Sequence, residues 1–201
     1  MTNDELFRWL FLAVFFSALS ISGYFRRRAR QSGEAIARAS EGRAAVLLRL
    51  LFAAPLYLSF LAYAVNPSWM KWSSLSLPTW LRWFGVAVGI AILPLLYWVM
   101  VSIGKNVSET FLTKQSHQLV THGPYRWIRH PLYTTASIWL LALGSVASNW
   151  FMIAMALIAF IAISVIVVPR EEAELIGKFG DEYREYQKRT GRFAPRLFIP
   201  K

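Results

Sequence analysis

Long stretches with almost no charge constrain this chain more than any other feature. A helix rising about 1.5 Å per residue needs about 20 apolar residues to cross a hydrocarbon core of about 30 Å. Residues 6–25 meet that length with Arg8 near their start, 44–65 with Arg49 near one end, and 81–103 with Arg82 at the edge. Pro55 and Pro94 lie inside the second and third runs, where neighbouring helices can satisfy the freed carbonyls. Residues 131–168 make an apolar run about twice as long as one crossing. Turn formers at Gly144-Ser145-Val146-Ala147-Ser148-Asn149 divide it, which predicts two helices, 131–147 and 150–168, folded as a hairpin. The expected fold is therefore all-α and polytopic, with about five transmembrane helices and a helical C-terminal tail.

Hydrophobic residues make up 56% of the chain, above the 45–50% of soluble domains. Lys and Arg total 22 against 11 Asp and Glu, and the surplus falls between the apolar runs. That placement points to anionic lipid headgroups and away from nucleic acid. The chain has no cysteine, which excludes disulfides, thiolate catalysis and cysteine-ligated metal centres. His117, His122 and His130 share no helical ligand spacing, so no metal is expected.

The basic residues alternate from loop to loop. Arg26, Arg27, Arg28, Arg30, Arg38 and Arg43 separate the first two runs, whereas only Lys71 separates the next two. Lys105, Lys114, Arg126 and Arg129 follow the third run, the hairpin turn has none, and the tail after Pro169 is again basic. The positive-inside rule then puts the tail in the cytoplasm and the N-terminus outside. Asp4 and Glu5 precede the first run and its arginines follow it, the reverse of a cleaved signal peptide. The short, cysteine-free design suits a prokaryotic inner membrane.

Residues 1–103 read as an anchoring half, and 104–201 as the half that carries chemistry. The segment 104–122 is polar and expected to be irregular. Next comes GPYRWIRHPLY (123–133), with two prolines, two arginines, a histidine and three aromatics before an uncharged helix. Pro131 suits a first helical turn, which puts His130 just ahead of it, beside open backbone N–H groups. In the tail, Pro169-Arg170-Glu171-Glu172-Ala173-Glu174 reads as the acidic first turn of a helix. Gly180-Asp181 reads as a stop and a fresh N-cap, a short helix should carry Tyr183 and Tyr186, and 190–195 end it. Taken singly, these residues also fit blander roles: an interfacial aromatic belt, positive-inside anchors and a helix charge cap.

Taken together, they resemble a known family. His117-Gln118-Leu119-Val120, Gly123, Tyr125 and Arg129-His130-Pro131-Leu132-Tyr133, followed by Pro169, Glu171-Glu172, Phe179-Gly180-Asp181-Glu182-Tyr183 and Tyr186, are similar to the signature of the isoprenylcysteine carboxyl methyltransferase family. Its wider group includes phospholipid N-methyltransferases. The likeness covers about 104–195, while the first three runs match only in character. It implies an integral membrane enzyme that transfers a methyl group from S-adenosyl-L-methionine to a lipophilic acceptor held in the bilayer. It also implies that His117, Gln118, Leu119 and Val120 line the adenosine and that Tyr125 packs on the donor. His130, Pro131, Leu132 and Tyr133 would wall its methionine part, with Glu171 and Glu172 approaching from the tail. A carboxylate acceptor would need a cation, for which Arg129 is the candidate; an amine acceptor would need a base, Glu171 or Glu172. The chain departs from the pattern at Val167, where relatives acting on prenylcysteine carboxylates carry arginine, and this leaves the acceptor open. Three other readings stay in view: an amine or phospholipid N-methyltransferase, a sterol-reductase-like NADPH enzyme, and a membrane scaffold.

Overall fold

A computed structural model describes residues 3–31, 43–104 and 118–196, apart from the side chains of 43–50 and 52. The described residues form helices α1 (Asn3–Gln31), α2 (Arg43–Val65), α3 (Thr79–Ile103), α4 (Pro131–Val146), α5 (Trp150–Ala162), α6 (Val168–Phe179) and α7 (Asp181–Arg189). Three helices are long and apolar enough to cross a membrane: Asn3–Gln31, Thr79–Ile103 and Trp150–Phe179. Two shorter apolar helices, Ala53–Val65 and Pro131–Val146, accompany them. The chain is thus an all-α, polytopic membrane protein.

The hairpin forms where the turn signals put it. Asn149 caps α5 by accepting from the Met152 N–H at 3.1 Å, and Gly144 lets the two helices close up. A Cβ at Gly144 would lie 2.8 Å from Ile153 Cγ1, so only a hydrogen fits there.

The tail departs from expectation. Instead of a new helix opening at Pro169, a π segment (Ile163–Val167) joins α5 directly to α6. Proline has no N–H and crowds the preceding turn, and a π turn accommodates this by widening the helix by one residue. Glu171 and Glu172 therefore ride on the extension of a membrane helix rather than on a free N-terminus. The apolar part of that helix ends at Val168, and the charged turns from Arg170 onward project beyond it. Gly180 (φ 56°) ends α6 one residue before α7 begins, so glycine, and not Asp181, occupies the N-cap of α7.

One core joins both halves of the chain. Phe7, Phe11 and Phe15 recur every four residues and bury one face of α1. Phe15 stacks on Trp139 of α4 at 5.8 Å, and Phe11 meets Phe60 of α2 edge-on at 5.7 Å. The helices' outer faces carry exposed apolar side chains, as a lipid-facing surface requires.

At the end of the bundle away from the tail, the α2–α3 connection is stitched to the α4–α5 turn. Asn149 Nδ2 donates to Ser73 Oγ at 2.8 Å and to the Met70 carbonyl at 3.3 Å, both in the 3-10 helix Pro67–Ser73. The Leu75 N–H donates to the Ser148 carbonyl at 2.7 Å. Two of the arginines that interrupt the apolar runs, Arg8 and Arg82, work at this end too. Arg8 donates to the carbonyls of Ala64 and Val65, closing the C-terminus of α2. Arg82 lies over the Phe7 ring, pairs with Asp4 at 2.7 Å and donates to the Val146 carbonyl.

Asn149→Ala should lower stability by about 1–2 kcal/mol, the usual cost of a lost N-cap, with a further loss from the missing Nδ2 bonds to Ser73 and Met70. Asn149→Asp should recover the cap part alone. Thermal unfolding in detergent reads the difference, and equal melting temperatures for all three proteins would contradict the stitch.

Candidate functional site

At the tail end, two segments far apart in sequence pair like short parallel strands. The bridge joins Ile128 to Gly191. Arg129 N–H donates to the Gly191 carbonyl at 2.8 Å, His130 N–H to the Arg192 carbonyl at 3.1 Å, and Gly191 N–H to the Trp127 carbonyl at 3.2 Å. The Thr134 hydroxyl donates to the Phe193 carbonyl at 3.0 Å. Gly191 is obligatory, because a Cβ there would collide with the Ala194 carbonyl. The backbone N–H of His130 itself is taken by this pairing.

The side chains converge on Glu172. Its carboxylate accepts from Arg129 Nε at 2.9 Å, from His130 Nε2 at 3.1 Å and from Arg192 Nη2 at 2.9 Å. Arg129 and Glu172 are both nearly enclosed, with side chains 9% and 7% exposed. Arg129 also donates to the carbonyls of Gln187 and Thr190 at the end of α7. Its guanidinium is thus committed to the tail and closes the site instead of facing an open space. Burial alone would raise the Glu172 pKa, but hydrogen bonds from His130 and Arg129, with Arg129's charge and Arg192, outweigh it and hold the carboxyl at about 2.

Glu171, one residue earlier, has the opposite surroundings. Its Oε2 is buried without a hydrogen-bond partner, and His130 Nδ1 stands 3.8 Å away. Burial raises its pKa more than the nearby His130 lowers it. His130 turns Nε2 to Glu172 and Nδ1 to Glu171. Across that gap, the unpartnered Glu171 oxygen is an acceptor that an N–H donor or a cation would satisfy.

Aromatic walls surround the gap. Tyr133 stacks on His130 at 5.8 Å, beside Glu171. Tyr125, in the 3-10 turn Gly123–Arg126, is buried, and its carbonyl accepts from the Tyr186 hydroxyl. Burial first, and Glu171 second, raise the Tyr125 pKa and keep its phenol neutral.

The remaining expected residues fall around this centre. Leu119 packs on the small cluster of Leu175, Tyr183 and Tyr186, which draws the 118–120 segment against α6 and α7. Gln118 is exposed and Val120 half-buried, whereas His117 lies outside the described residues. Pro131 is buried at the start of α4, and Leu132 packs on the main core. Arg192 and the 190–193 strap were not foreseen. Their sequence signal was a glycine, an arginine and an aromatic in a segment read only as a helix end. Beside the site opens an apolar pocket of about 450 Å³ lined by Leu95, Trp98, Pro124, Trp127, Pro131 and Thr135 among others.

A polytopic helical membrane protein whose tail folds back to enclose buried carboxylates and aromatics beside an apolar pocket is the class that fold and site define. Residues 80–177 match the isoprenylcysteine carboxyl methyltransferase (ICMT) family. The nickel-cobalt-cadmium resistance protein NccN of Alcaligenes xylosoxydans xylosoxydans is 32% identical over 101 residues, covering 50% of this chain and 47% of that protein. The protein-S-isoprenylcysteine O-methyltransferase of Schizosaccharomyces pombe is 32% identical over 100 residues, covering 45% and 39%. The Homo sapiens protein-S-isoprenylcysteine O-methyltransferase is 30% identical over 143 residues, covering 63% and 48%. The chain spans about half the length of the curated relatives it matches. In fold it is similar to a eukaryotic intramembrane Ras methyltransferase, ICMT, with a TM-score of 0.55 and 22% identity over 94% of this chain and 68% of that one.

A carboxyl whose folded pKa lies below its ordinary 4.5 stabilises the fold above that pH and loses the contribution as pH falls toward 2. Glu171 titrates above 4.5, so its effect lies outside this window. The melting temperature should therefore drop on acidification through the window, and Glu172→Gln should start lower and respond less. Parallel profiles would show that Glu172 does not hold the tail.

Proposed function

We propose that this protein is an integral membrane methyltransferase that uses S-adenosyl-L-methionine and acts on a lipophilic acceptor held in the bilayer. The observation that carries the reading is the buried, unpartnered Oε2 of Glu171 facing His130 Nδ1 inside aromatic walls. That gap wants a cation with N–H donors, and the methionine part of the donor supplies an ammonium beside a sulfonium. When bound, the donor provides an electrophilic methyl group. The match of residues 80–177 to the ICMT family favours this reading over a reductase or a scaffold.

The chain's own residues position and enclose. Glu171 offers the counter-charge, with Tyr133 and His130 fixing its place. Glu172 holds the His130 ring by one nitrogen, so the other faces the gap. Arg129 acts as a positioning residue that locks α7 and the strap over the site. Tyr125 and the 118–120 segment, with His117 ahead of it, are assigned to the donor's adenosine side. Methyl transfer is an in-line displacement whose rate depends on alignment and exclusion of water, which a closed tail supplies. The apolar pocket between Trp98, Trp127 and Pro131 receives the acceptor's hydrocarbon part. For an acceptor that arrives protonated, Glu171 is the base, because its raised pKa lies nearer neutrality than that of Glu172. The topology that goes with this has five spans, a cytoplasmic tail and an outward N-terminus in a prokaryotic inner membrane, so a water-borne donor meets a lipid-borne acceptor at one face.

Titration calorimetry of the purified protein in detergent should detect S-adenosyl-L-methionine binding. Glu171→Gln should weaken it roughly ten- to a hundredfold, the worth of one charged hydrogen bond. Because the free enzyme's Glu171 pKa is raised, wild-type affinity should fall as pH drops through that pKa, while the variant stays flat. Absence of binding by the wild-type protein would overturn the reading.

A further inference from the structure

The stitched end of the bundle, at the far end of α4 from the candidate site, holds a second pocket of about 390 Å³, with a more polar lining than the first. Asp4, Lys71, Arg82, Ser68, Ser74 and Ser76 are among its lining residues. Arg82 is turned to Asp4 and to the Val146 carbonyl, and Ser68 to Asn66. Lys71 is exposed and has no side-chain partner among the described residues, so it is a cation open to a ligand. Ser74 and Ser76 are exposed close by in the chain. Asp4 keeps its side chain 82% exposed despite the bond to Arg82, leaving carboxylate surface for a second donor.

The depth of this pocket follows from its neighbours. Trp69, Trp72, Trp80 and Trp150 are between 45% and 69% exposed around the same end. Indole rings concentrate at the level of lipid headgroups. A pocket with cation, hydroxyls and carboxylate at that level matches a zwitterionic headgroup in both signs of charge. A carboxylate flanked by one tyrosine, and not an aromatic cage, suits a primary ammonium better than a quaternary one.

We propose that this pocket binds a phospholipid of the phosphoethanolamine type, its phosphate on Lys71 and the Ser74 and Ser76 hydroxyls and its ammonium on Asp4. The lipid then tethers the α2–α3 connection at the membrane surface, at a site separate from methyl transfer and independent of that reading.

Native mass spectrometry of the full chain in detergent tests it, titrating phosphatidylethanolamine, phosphatidylcholine and phosphatidylglycerol with matched acyl chains, alongside glycerophosphoethanolamine and inorganic phosphate. Phosphatidylethanolamine should be retained in preference to the other two lipids. Lys71→Ala should weaken it about tenfold, one charged hydrogen bond, and Asp4→Asn should abolish the preference over phosphatidylglycerol while phosphate binding persists. An unchanged lipid-free melting temperature for Lys71→Ala shows that the fold is intact. Equal retention of the three lipids, or indifference to Lys71→Ala, overturns the proposal. So does binding of inorganic phosphate or soluble headgroup as tight as that of the lipid, which would make the ligand a free phosphate compound.

Discussion

The buried carboxylate of Glu172 is the interaction on which the architecture of the tail end depends. Its three hydrogen-bond partners, Arg129, His130 and Arg192, come from the loop before α4 and from the strap after α7, so one side chain joins segments more than forty residues apart. The apolar cluster beneath the tail, Leu175, Tyr183 and Tyr186 with a few neighbours, is too small to fix this geometry alone. Enclosed ion pairs contribute little net stability against an apolar replacement, yet losing one partner strands the others and costs about 3–5 kcal/mol. Such pairs confer specificity of arrangement, and here the arrangement includes the ring orientation of His130.

Adjacent residues of the same type divide the work because their environments differ. Glu172 is saturated with donors and stays ionised at any physiological pH. Glu171 is buried beside a histidine nitrogen and two phenols, with one oxygen unsatisfied, and its proton is held more tightly. Environments that drive neighbouring titratable groups apart are how sites separate a structural charge from a chemical one. Helical geometry enforces the separation, since successive side chains point about 100° apart around the axis.

Much of this was legible in the sequence, for identifiable reasons. Bilayer thickness turns the uncharged runs into helices of known length, and the Gly144–Asn149 turn formers marked a hairpin to within a residue or two. The motif 129–133 and the Glu171-Glu172 pair converge as the family likeness implied, although a likeness does not reveal which partners each residue takes. Three features were not readable. Arg129 looked like a free cation, because nothing local shows that α7 returns to bind it. The strap 190–193 looked like a helix end, because its pairing is with residues sixty positions earlier. Pro169 looked like a start, because proline favours first turns, and only the continuous path of α5 into α6 shows otherwise.

That continuous path has a mechanical consequence. The π segment Ile163–Val167 inserts one residue's worth of rotation between the lipid-embedded part of the last long helix and the part bearing the two carboxylates. Removing the extra residue would turn every following side chain by about 100° around the axis. The widened turn therefore sets the inward aim of Glu171 and Glu172 toward His130.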